Sequence, residues 1–151
     1  MNKKVLGITA VGIAVAVALS ILWSSRGVSE SPKAQVFVDA VYSQSLDKVQ
    51  TMSLSAMQQR APAWVPQVSG YLQTNYGMAK EVKQTSAVTV ATGGPLGEVL
   101  DSVWQVTAER GNYEMRTIEQ TSSHKLSMVA FRFPPSSDWI VATTWPRPSA
   151  M

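Results

Sequence analysis

The apolar residues of this chain change period at Gly77, and no other feature limits its fold as much. Before that point they recur at helical spacing. Ala34, Phe37, Val38, Val41 and Tyr42 stand at i, i+3, i+4, i+7 and i+8, and Trp64, Val65, Val68, Tyr71 and Leu72 make a second one-sided stripe. From Met78 the spacing becomes two, with Met78, Lys80, Val82, Val88 and Val90 sharing one parity. Helices followed by strands on hairpin-length links predict an α+β domain, with two or three helices packed on one face of a four-stranded antiparallel sheet.

Local signals set the expected boundaries. Ser31 followed by Pro32 is a capping hydroxyl with proline at the first helical position. Residues 43–45 break that helix, and 46–52 form a second, short one that Leu54 and Met57 extend. Pro62 opens the third helix, and Gly77 stops it after Tyr76. Thr92, Gly93, Gly94 and Pro95 make a loop. Leu100, Trp104, Val106 and Ala108 mark the second strand, and Tyr113, Met115 and Thr117 begin the third. Residues 126–133 make the fourth, with apolar side chains on both parities. That pattern means burial on both faces or a bulge that shifts the register. Residues 136–151 are a proline-broken apolar tail carrying Trp139, Ile140, Val141 and Trp145. It reads as a short extra strand or as a docking segment.

Residues 5–23 are an uncharged apolar run. A helix of that length rises about 28 Å, close to the hydrocarbon thickness of a bilayer. Lys3 and Lys4 precede it and Arg26 follows, so the positive-inside rule keeps the N-terminus in the cytoplasm and exports the rest. The run is longer than a signal-peptide core and ends in Ile21, Leu22 and Trp23, bulky where a signal peptidase needs small residues. The expected organisation is an uncleaved anchor over 1–26, a link over 27–31, a domain over 32–135 and the tail. This places the protein in the inner (cytoplasmic) membrane as a single-pass chain with its domain on the extracytoplasmic side. Cleavage after Ala18 or Ser20 is the alternative.

Charge and composition then exclude whole classes. The formal charge is +3, from 13 basic and 10 acidic residues. Lys3, Lys4 and Arg26 account for the surplus, since 13 − 3 = 10 basic residues remain against 10 acidic ones. The exported part is neutral, and its Lys33, Lys48, Arg60, Lys80, Lys83 and Arg110 stand singly, so a nucleic-acid footprint is not expected. With no cysteine, disulfides and thiolate chemistry are out; with one histidine, so are multi-histidine metal sites. No cofactor and no metal is expected.

Residues 34–133 resemble the nuclear transport factor two-like (cystatin-like, cone-shaped) superfamily. The likeness is carried by the opening helix AQVFVDAVYSQSLDKVQTMS, the hairpin VWQVTAERGNYEMRTIEQ, the closing strand SSHKLSMVAFRF and the helix that stops at Tyr76 and Gly77. It implies a curved sheet wrapped around a helix, with a pocket at the wide end lined by Phe37, Val41, Tyr42, Trp104, Tyr113 and Phe131. Catalytic members place an acid, tyrosine or histidine in that pocket. More loosely, the chain resembles single-span assembly factors of respiratory oxidases and anchored periplasmic domains of type IV secretion systems.

The candidate chemistry is sparse. Asp39 lies off the apolar stripe and faces solvent on this reading, whereas Tyr42 lies on it as a core tyrosine with a bonded hydroxyl. Asp101, Glu109 and Tyr113 are the remaining candidates. His124 sits in a polar turn with no adjacent partner for acid–base work. Glu114 and Arg116 fall on the parity opposite Tyr113 and read as a solvated face. The glycines at 93, 94 and 97 lack the spacing of a phosphate loop. No catalytic residue is therefore assigned. The expected function is a membrane-anchored accessory, assembly or interaction subunit whose partners are the bilayer and another membrane or periplasmic protein, with Trp139, Ile140 and Trp145 as contact residues. The alternative is a domain that binds a small apolar ligand, or a weak enzyme, using the pocket.

Overall fold

The computed structural model describes residues 24–145. The chain divides into two units, Met1–Gln35 and Val36–Met151. In the first, the described residues are helical. The expected membrane span over residues 5–23 lies outside the described residues, and none of the described helices is long and apolar enough to cross a membrane.

Among the described residues, three helices precede a five-stranded antiparallel sheet: α1 (Ser24–Tyr42), α2 (Leu46–Thr51), α3 (Ser55–Tyr76), β1 (Ala79–Ala91), β2 (Glu98–Ala108), β3 (Gly111–Gln120), β4 (Lys125–Arg132) and β5 (Ile140–Val141). The strands lie in sequence order from β1 to β5. The α+β class is as expected, but the sheet has five strands where four were predicted. Residues 140 and 141 of the tail pair with Phe131 and Ala130 of β4.

The helix boundaries also differ from expectation. α1 begins ahead of Ser31 and runs through Pro32. It ends as the residues dictate. Gln44 adopts a left-handed φ of 55°, Ser45 N–H donates to Ala40 O and Gln44 N–H to Val41 O, which is the Schellman arrangement. α3 begins at Ser55, so Pro62 and Pro66 lie inside it. A proline leaves the carbonyl four residues earlier without its helical donor. Gln50 Nε2 donates to the freed Gln58 carbonyl at 3.1 Å, and Gln58 Nε2 donates back to Gln50 O at 2.8 Å. The side chain of α2 thus replaces the bond that Pro62 removes. Both prolines are exposed, while Met57, Ala61, Trp64, Val65, Val68 and Leu72 form the buried stripe.

At the sheet, parity decides what is buried. Tyr113, Met115, Thr117 and Glu119 of β3 point to the helix-covered face, as do Ser102, Trp104 and Val106 of β2. On β4 the register shifts between Ile118/Glu119 and their partners, so that Leu126 pairs with Glu119 while Met128 pairs with Ile118. This bulge explains part of the mixed parity of the sequence: Leu126 precedes it, Val129 and Phe131 follow it, and all three are buried.

Candidate functional site

All six residues expected to line the pocket are buried. Phe37, Val38 and Val41 of α1, Leu72 of α3, and Tyr113, Met115 and Phe131 of the sheet surround one interior void that does not admit a water molecule. Four of the six predicted pocket residues are therefore brought together here: Phe37, Val41, Tyr113 and Phe131. Trp104 is buried but does not line the void; its Nε1 donates to Thr117 Oγ1 at 3.0 Å.

Tyr42 closes the group through its hydroxyl, which shares a 3.1 Å hydrogen bond with the Tyr113 hydroxyl. Desolvation pushes the Tyr42 phenol above its ordinary value; the bond to Tyr113 opposes this and the charge of Glu109 adds to it. Tyr113 is pushed up further, first by burial and then by its bond to Tyr42. Both are neutral donors and acceptors at neutral pH, and neither is poised as a base. The end of α1 rests beside them, because Ser69 Oγ and Gln73 Nε2 of α3 both donate to the Tyr42 carbonyl, at 3.1 and 3.0 Å. This carbonyl is one that a helix end leaves without a partner.

A second group lies along the helix-covered side of the sheet. Gln84 Nε2 donates to Ser102 Oγ at 3.3 Å, Ser102 stands opposite Thr117, and Glu119 continues the row. The His124 Nδ1 lies 3.6 Å from Glu119 Oε2, the histidine side chain 76% exposed and the carboxylate 8%. His124 has no adjacent partner along the chain; Glu119 supplies one across the turn. The signal was present, since Glu119 shares the core-facing parity of Tyr113 and Met115, an unusual place for a carboxylate.

The other candidates sit apart from both groups. Asp39 is exposed, as expected from its place off the stripe. Asp101 accepts two bonds from Arg116, at 2.9 and 2.7 Å, on the outer face of the sheet, and this bond holds the guanidinium pKa up. Glu114 accepts from Arg132 Nε at 2.6 Å. Glu114 and Arg116 thus sit on the expected face, each in a cross-strand ion pair. Glu109 accepts the Met78 N–H. Residues 92–97 form a hairpin loop closed by Thr92 N–H to Gly97 O at 3.0 Å. In the tail, Ile140 is in β5, the Arg132 guanidinium lies 4.5 Å from the centre of the Trp139 ring, and Trp145 packs on Tyr71 and Phe133. Among the described residues no cluster of three acidic or histidine side chains could hold a metal ion.

Comparison of the chain with protein-family models, with curated proteins and with solved structures finds no match.

Proposed function

We propose that the chain is a single-span membrane protein whose extracytoplasmic domain, of the nuclear transport factor two-like kind, serves as a non-catalytic accessory, assembly or interaction subunit of a membrane complex. The anchor would be residues 5–23, uncharged and long enough to cross, with Lys3 and Lys4 holding the near side. The observation that carries the reading is the filled interior. Small-molecule sites are ordinarily clefts of roughly 300–1,000 Å³, whereas Phe37, Val41, Tyr113 and Phe131 close on a space without room for water. Opening that space would separate packed aromatic side chains and uncover the Tyr42–Tyr113 hydroxyl pair. Contact then falls to the outside of the sheet and to Trp139, Ile140 and Trp145. A tether makes such contacts effective, because it confines the domain to the membrane surface and raises its local concentration.

Affinity purification of the full chain from membranes in mild detergent tests this. The proposal expects other membrane proteins to accompany it in a constant ratio through successive columns. Recovery of the chain as a lone monomer from freshly solubilised membranes would overturn it.

A further inference from the structure

The two edges of the sheet are treated differently. On the β4 side, β5 pairs with Ala130 and Phe131. Next to it, Leu126 exchanges backbone bonds with the segment before α3: Leu54 N–H donates to Leu126 O and Leu126 N–H to Met52 O, both at 2.8 Å. On the other side β1, the longest strand, has β2 as its single neighbour among the described residues. A bare edge strand offers a row of free N–H and C=O groups to any extended chain.

Proteins usually protect such edges with lysines and bulges. β1 has both, but in one half. Lys80, Glu81 and Lys83 precede the register shift between Gln84/Ser86. After it, residues 86–91 are all exposed, rich in β-branched side chains, and free of proline, glycine and charge. No charged residue stands between Lys83 and Glu98. Val88 is 57% exposed and Val90 41%. The register places Val88 in one row with Asp101, Ile118 and Met128, on the face away from the helices.

We infer that this half-strand pairs with the same half-strand of a second copy of the chain, antiparallel about Thr89. The segment is self-complementary in that register. Val88 of one copy lies opposite Val90 of the other, Ala87 lies opposite Ala91, and Thr89 meets itself. Charge selects this register as well: the pairing brings no charged side chains opposite one another, and each Lys83 falls beyond the end of the other strand. Such a contact is isologous, as a two-fold dimer requires, and it joins two sheets into one while their outer valines meet. The inference rests on reading the domain as an interaction module, and names the chain itself as one partner.

The absence of native cysteine makes the test clean. Cysteines opposite each other in an antiparallel pair have Cα atoms about 4.5–5.5 Å apart, within disulfide reach. Full-length Thr89→Cys in native membranes, treated with a mild oxidant, should shift to twice the monomer mass. Lys83→Cys should stay monomeric, because in this register its two copies stand about 40 Å apart. Adding Val88→Lys and Val90→Lys to Thr89→Cys should abolish the covalent dimer, with urea unfolding confirming that the variant remains folded. A monomeric Thr89→Cys, or equal cross-linking at 83 and 89, would overturn the inference. Cross-linking at 89 in a chain that purifies with no other protein would uphold it and sink the complex-subunit reading instead.

Discussion

The Tyr42 and Tyr113 hydroxyls share one buried bond, so each is the other's means of leaving water. Removing one hydroxyl leaves the other unsatisfied, and removing both leaves none. Tyr42→Phe and Tyr113→Phe should each cost about 1 kcal/mol or more, while the double substitution should cost clearly less than their sum. Urea unfolding of the four proteins checks this, and strict additivity would contradict it. The same pair predicts a pH response. Both phenols are raised above 10.0 in the folded chain, so the unfolded chain loses these protons first as pH rises. Their contribution is fully present below about pH 10 and is lost above it. Stability measured at pH 9 and pH 11 should fall between the two, and by less in the double phenylalanine variant. The sequence placed Tyr42 on the core stripe and Tyr113 on the core parity, but no pattern in one strand tells which hydroxyl on another element will reach it. His124 shows the same limit. Its partner Glu119 is five residues away across a turn, and only the parity of β3 hinted at it.

At the scale of elements, α3 shows why boundaries failed where periods succeeded. Its stripe was legible from Trp64 onward. Its first turns were not, because proline at 62 imitates a helix start when read alone. The missing fact was the Gln50–Gln58 exchange between two helices. Gln50→Ala should therefore destabilise the domain by roughly 1–2 kcal/mol, since it strands the Gln58 carbonyl. In a chain that also carries Pro62→Ala the loss should shrink, because alanine at 62 restores the helical N–H that serves that carbonyl. An equal loss in both backgrounds would show that Gln50 acts in some other way. β4 is the reverse case. Its mixed parity announced two-sided burial or a bulge, and both occur: the register shifts at Ile118/Glu119, and Val129, Ala130 and Phe131 are buried in succession. β5 was harder to read, since a two-residue strand has no period of its own.

On the scale of the whole molecule, the charge division stands out. Lys3, Lys4 and Arg26 flank one apolar run, and the rest of the chain is neutral. Among the described residues the β4 edge is covered, by β5 and by backbone bonds to the segment before α3, while β1 has β2 alone beside it and is uncharged in its second half. The four predicted pocket residues that meet in the core were legible as apolar and inward-facing. That they would leave a void too small for water was not, because packing depends on how α1 and α3 seat on the sheet. The tail was legible as a short extra strand or a docking segment, and residues 140 and 141 form the strand.

We propose that residues 5–23 hold this domain on a membrane, and sodium carbonate extraction of membranes from cells producing the full chain tests it. The chain should stay in the pellet at alkaline pH, dissolve only with detergent, and be digested by protease added from the extracytoplasmic side. Recovery of the intact full-length chain in the aqueous fraction, without detergent, would contradict it.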